Sequence, residues 1–103
     1  MNLKDKVVIV TGSARALGKA YALRFAQKGA KVVVCDILDC EETVKEIESC
    51  RGQVLSLWTD VSSEESTIEM AKKTVARFGR IDVLVNNAAV YANIVRKPFY
   101  EIS

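Results

Sequence analysis

Val10-Thr11-Gly12-Ser13-Ala14-Arg15-Ala16-Leu17-Gly18-Lys19-Ala20 is the stretch that decides how this chain is folded. It leaves a short apolar run, Val7 to Val10, and enters a segment rich in Ala, Leu and Lys that reads as a helix over Ala16–Lys28. Gly12 lets the chain turn sharply, and its missing side chain lets a ligand approach the backbone. Gly18 falls in the first turns of the helix, where a small residue allows close packing on strands. A helix N-terminus presents unpaired N–H groups and partial positive charge, so a pyrophosphate suits this junction, and Ser13 adds a hydroxyl. An ordinary strand-to-helix turn containing glycines reads the same way at this point. A P-loop fits poorly: five residues separate Gly12 from Gly18, not four, and Gly18-Lys19 is followed by Ala20 rather than Ser or Thr.

Outward from the junction the same rhythm repeats. Gly29, Gly52 and Gly79 each follow a helix-like segment and precede an apolar run. Each is expected to take the left-handed conformation that ends a helix. The strands are expected at Lys6–Thr11, Lys31–Asp36, Gln53–Thr59 and Arg80–Asn86. Val7-Val8-Ile9-Val10, Val32-Val33-Val34 and Val83-Leu84-Val85 are continuous apolar runs, as in strands covered on both faces. The remaining helices are expected at Asp39–Cys50, with Cys40, Val44, Ile47 and Cys50 near one face, and at Ser63–Phe78. The latter carries an apolar stripe of Ile68, Ala71, Val75 and Phe78, expected to be core, and a capping-box pattern of Ser62 and Glu65. Strands alternating with helices imply parallel pairing and right-handed crossovers. The expected fold is a doubly wound α/β sheet of four strands, forming one domain over 1–103.

Asp36 ends the second strand, 24 residues after Gly12. A carboxylate there accepts hydrogen bonds from adenosine ribose hydroxyls and repels a ribose 2′-phosphate, which favours NAD over NADP. By itself it would serve equally as a turn residue or a helix cap. After Gly12 and Gly18 in a βαβ unit, it points to a dinucleotide.

Thr11-Gly12, Ala16 and Gly18 together resemble the T-G-x-x-x-G-x-G loop of the short-chain dehydrogenase/reductase family. Asp60-Val61 resembles that family's adenine-contacting Asp, and Asn86-Asn87-Ala88-Ala89 its N-N-A-G motif. Ala16 and Ala89 depart from the pattern, each adding a methyl where the family has glycine. The resemblance implies a Rossmann-type fold and these site residues. Backbone from Gly12 through Ser13, Arg15, Ala16 and Leu17 to Gly18 would hold the pyrophosphate and adjoining ribose. Asp36 would bind the adenosine ribose with Ile37 beside the adenine. Asp60 would meet the adenine amino group and Val61 would line the ring. Asn87, with Ala88 after it, would lie near the nicotinamide-side ribose, and Asn86 would tie neighbouring strands. Arg15 either reaches a 2′-phosphate or lies along the surface; Asp36 decides for NAD.

Composition narrows the function classes. The 103 residues carry a net charge of +2, which gives no bias towards nucleic acid or an anionic membrane. The absence of histidine removes a His-paired nucleophile and a His-ligated metal. Val7–Val10 is too short for a signal-peptide core or a span. Cys35, Cys40 and Cys50 show no C-x-x-C pair and read as reduced thiols, Cys35 buried and inert, so a cytoplasmic protein is expected.

The family resemblance also implies hydride transfer between NAD and an alcohol or ketone, aided by a Ser and a Tyr-x-x-x-Lys pair. That pair does not occur here: Phe25 stands four residues after Tyr21, Val95 four after Tyr91, and Tyr100 lies near the last residue. Ser103 reads as a helix N-cap, and in the resembling family the catalytic residues lie further along. The chain is therefore expected to be the N-terminal, cofactor-holding half of an oxidoreductase, homo-oligomeric at full length and inactive by itself. Its fourth strand is expected to be an open edge. A non-enzymatic dinucleotide-binding or sensing module, or an interaction domain with a vestigial site, would share the same loop.

Overall fold

The computed structural model describes residues 3–14 and 16–87. Among them the order is β1 (Val7–Thr11), α1 (Ala16–Gln27), β2 (Lys31–Asp36), α2 (Glu41–Ser49), β3 (Gln53–Trp58), α3 (Glu64–Phe78) and β4 (Val83–Asn86). The strands pair in parallel in the order β3-β2-β1-β4, so β1 lies between β2 and β4. This is the expected doubly wound α/β sheet.

The pleat sorts the valines. Val8, Val10, Val32 and Val34 pack under Ala22 and Ala26 of α1 and Ile47 of α2. Val7, Ile9, Val33 and Cys35 point the other way, towards Met70 of α3. Successive side chains on a strand face opposite sides, so two covered faces require apolar residues at every position. All five residues of β1 are accordingly buried.

Helix ends follow the expected glycine logic at two of three places. Gly29 and Gly79 sit at φ 92° and 85°. After α2 the left-handed residue is Arg51, at φ 64°. Gly52 is small for a different reason: a Cβ there would lie 2.7 Å from Ile47 Cγ2.

The structure corrects two readings of α3. Its inward face is Met70 and Thr74, and of the expected stripe Phe78 packs against the same core, whereas Ile68 and Val75 are each 47% exposed. Ala71, Lys72, Val75 and Ala76 line a shallow groove on its outer side. One residue along a helix is a turn of about 100°, so neighbouring stripes compete for the core. Here the winning stripe contains a threonine whose hydroxyl donates to Met70 O at 2.8 Å and so enters the core satisfied. The cap is Ser63, not Ser62: extended at φ −104°, its Oγ accepts from Ser66 N. In α2, Cys40, Thr43 and Ile47 are buried, Val44 packs beside them, and Cys50 lies exposed beyond the last turn. Substituting Met70 by alanine is expected to lower the unfolding free energy by about 2–3 kcal/mol. Ile68→Gln should change it by less than about 0.5 kcal/mol. Urea titration distinguishes them, and equal losses would restore the Ile68 stripe as core.

β4 begins at Val83, later than expected, because Asp82 is turned to another use. Its Oδ2 accepts from Val7 N at 2.8 Å, and Arg80 forks onto its Oδ1. The Val7 N–H first, and Arg80 second, hold the Asp82 carboxyl below the usual carboxylate range. Its contribution to stability is present above that range and disappears as pH falls through the lowered value. β4 lies at one edge of the sheet, with Leu84 40% exposed. No helix among the described residues is long and apolar enough to cross a membrane.

Candidate functional site

Parallel strands place their carboxyl ends on one side of the sheet. Gly12 follows β1, Asp36 closes β2, Asp60 stands two residues beyond β3, and Asn87 follows β4. The chain winds outward from β1 to β3 and then crosses back to β4, so β1 and β4 flank the switch point where open α/β sheets bind ligands. The described part of the expected site gathers along this edge. Arg15 and Ala88 lie outside the described residues.

The loop between β1 and α1 is fixed from several sides. Gly12 adopts φ 67°, and its carbonyl accepts from Asn87 Nδ2 at 3.3 Å. Gly18 lies directly against that contact. A Cβ on Gly18 would fall 1.9 Å from Gly12 O and 2.9 Å from Asn87 Nδ2. On the β4 side, Thr11 Oγ1 donates to Val85 O and to Asn86 Oδ1, so Asn86 ties strands together as expected.

Ser13 differs from expectation. It is fully buried, its hydroxyl donates to Val10 O at 2.8 Å and accepts from Cys35 N at 2.8 Å, and its own N–H bonds Cys35 O. The hydroxyl splices β1 to β2 and is not presented to a ligand. Sequence reading missed this because a serine after a glycine looks the same whether it faces solvent or the neighbouring strand.

Asp36 sits between loop and solvent. Its Oδ2 accepts from Ala14 N at 3.0 Å and its Oδ1 from Leu38 N at 3.1 Å. An ionised carboxylate has about four acceptor positions, so two stay open for further donors. Ile37 beside it is 59% exposed, and Val61 is half-buried. Asp60 Oδ1 accepts from Ser62 N and Oγ, and the Ser62 hydroxyl holds its carboxyl below the usual range. The thiols under this edge are inert. Burial pushes Cys35 up to about 12 and Cys40 up to about 11, so neither carries appreciable thiolate near neutral pH.

The start of α1 suits an anion. Its first turn contains no acidic residue of its own, and among the described N–H groups leading into it the Asp36 carboxylate takes up only Ala14 N. Ala16 and Leu17 are exposed there, Leu17 at 55%. Ala16, where the resembling family has glycine, holds φ 55°, a conformation that a Cβ disfavours. Ala16→Gly is therefore expected to raise stability by about 0.5–1 kcal/mol. A lowered denaturation midpoint would show that the methyl packs favourably despite its backbone.

Sequence reading also passed over Thr43. It is fully buried on α2, and its Oγ1 donates to Ser13 O at 2.8 Å. Its signal was its place four residues before Ile47, on the inward face of the helix. Taken together, a left-handed glycine, a helix whose first turn holds no acidic residue, an open-sided carboxylate and flanking apolar residues fit a dinucleotide's pyrophosphate, ribose and adenine.

The short chain dehydrogenase family model matches residues 6–103. An uncharacterized oxidoreductase of Thermotoga maritima is 44% identical over 98 residues, which cover 91% of this chain and 38% of that protein. The crystal structure of hydroxysteroid dehydrogenase from Escherichia coli superimposes with a TM-score of 0.80 at 36% identity, over 82% of this chain and 37% of that one. Carveol dehydrogenase from Mycobacterium avium, solved in complex with NAD, superimposes with a TM-score of 0.79 at 25% identity, over 84% of this chain and 36% of that one. The chain thus spans less than two-fifths of the length of these relatives.

Proposed function

Because the chain belongs to the short chain dehydrogenase family, we propose that it holds the dinucleotide of a nicotinamide-dependent oxidoreductase and takes NAD in preference to NADP. The observation that carries this reading is Asp36. It closes β2 beside the phosphate loop, and its carboxylate keeps two acceptor positions beyond its bonds to Ala14 N and Leu38 N. Two vicinal ribose hydroxyls match that capacity; a 2′-phosphate meets like charge instead.

The chain's own residues then divide the cofactor between them. Backbone from Gly12 to Leu17 holds the pyrophosphate at the start of α1, with Ser13 supporting the loop from beneath. Ile37 and Val61 border the adenine, and Asp60 accepts from its amino group. Asn87, held against Gly12 O, adjoins the nicotinamide-side ribose. When bound, the nicotinamide supplies or accepts a hydride, and the protein supplies position and electrostatics. In the whole protein the partner is an alcohol or ketone, and the family and its oxidoreductase members support this reading over a binding module. No Tyr-x-x-x-Lys pair lies within the 103 residues, so this chain is expected to bind without turnover.

Calorimetric titration of the 103-residue chain with NAD and NADP tests the proposal. Saturable binding of NAD, at least tenfold tighter than NADP, is the expected result. Equal affinities would remove the assignment of NAD, and a folded chain that binds neither would remove the cofactor site.

A further inference from the structure

The carbonyl of Ser13 and the N–H of Ala14 belong to one peptide plane, and both ends of that plane are held. Thr43 Oγ1 donates to Ser13 O at 2.8 Å, with a longer approach to Ala14 O at 3.4 Å. Ala14 N donates to Asp36 Oδ2 at 3.0 Å. Thr43 is fully buried, as is Ser13, so water does not readily replace this contact. A peptide plane gripped at both ends cannot rotate about its flanking bonds without breaking one grip.

We infer that Thr43 is a positioning residue for the dinucleotide: through Ser13–Ala14 it sets the phosphate loop and the Asp36 carboxylate in one fixed relation. The inference rests on the reading of that loop as the pyrophosphate site. Its chemistry is that of a tether. Thr43 lies on α2, and α2 is itself fastened to α1 by Lys19, which pairs with both Glu42 and Glu46. The loop between β1 and α1 is thereby braced by the next helix as well as by its own. A ligand that spans pyrophosphate and ribose needs both subsites in register; a ligand that occupies only the adenosine side does not.

Three variants of the 103-residue chain separate the hydroxyl from the methyl of Thr43. Thr43→Val keeps the methyl and removes the hydroxyl, Thr43→Ser does the reverse, and Thr43→Ala removes both. Amide hydrogen exchange without ligand, and affinities for NAD and for adenosine by NMR titration, are read on each. In the Val and Ala variants, Ala14 N–H exchange should accelerate at least tenfold relative to Val33, and NAD should bind about tenfold more weakly. Adenosine affinity should stay within twofold, and the Ser variant should match the wild type. If Val fails to fold, the Ser and Ala pair carries the same contrast. Ser and Ala variants that lose alike would assign Thr43 to packing and overturn the inference. Unchanged NAD affinity in hydroxyl-free variants would also overturn it while leaving the dinucleotide reading intact. A wild-type chain that binds no NAD overturns both.

Discussion

Gly18→Ala is expected to be the most damaging conservative change in this chain, lowering the unfolding free energy by about 3 kcal/mol or more. The added methyl would meet Gly12 O at 1.9 Å and Gly12 C at 2.6 Å. Both are backbone atoms of a loop held by Asn87, and Ser13 after it is fastened to β2, so neither can swing aside. Relief requires α1 to lift from the sheet, and α1 contributes Ala22 and Ala26 to the core. For a domain whose whole stability is about 5–15 kcal/mol, this is a large fraction. Gly79→Ala is the matched control: nothing lies within 4 Å of its Cβ position, so only its φ of 85° resists, at about 1 kcal/mol. Thermal and urea unfolding of the two variants should differ by at least twofold in free-energy loss. A Gly18→Ala protein as stable as the Gly79→Ala one would mean that the loop yields easily, and the pinned-loop description would be wrong.

Asp36→Ala is expected to weaken NAD binding by one to two orders of magnitude, or about 1.4–2.8 kcal/mol. Two effects combine. The ribose loses its charged acceptor, and Ala14 N and Leu38 N lose theirs, which loosens the loop. Asp36→Asn separates the two, because its amide oxygen can still accept from Ala14 N while the charge is gone. In both variants NADP should lose less than NAD or gain, since the repulsion of a 2′-phosphate disappears. The preference for NAD should therefore narrow most clearly in Asp36→Asn. A preference unchanged in the Asn variant would take Asp36 out of cofactor discrimination, whatever the fate of overall affinity.

Much of the fold was legible because local and global demands agreed. Val7 to Val10 and Val32 to Val34 are apolar at every position, as a sheet covered on both faces requires, and the runs are too short and too β-branched for a buried helix. The edge on which the candidate residues gather was legible for a related reason: Gly12, Asp36, Asp60 and Asn87 stand at or just beyond the ends of runs that read as strands, and parallel pairing brings such ends to one edge. Where the readings missed, a polar side chain had found its partner out of sight. Thr74 stands outside the expected apolar stripe of α3, yet it bonds Met70 O and is core. Ser13 reads as a ligand donor, yet Val10 O and Cys35 N already hold it. Asp82 reads as a strand residue, yet it receives Val7 N.

The sequence by itself determined the alternation of strands and helices, the parallel sheet, and the edge on which the candidate residues gather, because period, length and glycine placement are local properties of the chain. Only the tertiary structure decided which stripe of α3 faces inward, which serine caps it, and that Thr43 and Asp36 grip one peptide plane from opposite ends. The first two turn on which face of α3 the sheet accepts, with local bonds from Thr74 to Met70 O and from Ser66 N to Ser63 satisfying the chosen residues, and the third depends on bonds between residues far apart in sequence, Thr43 with Ser13 and Ala14 with Asp36. A donor and an acceptor separated by dozens of residues leave no periodic trace, and their pairing exists only once the chain has folded around them.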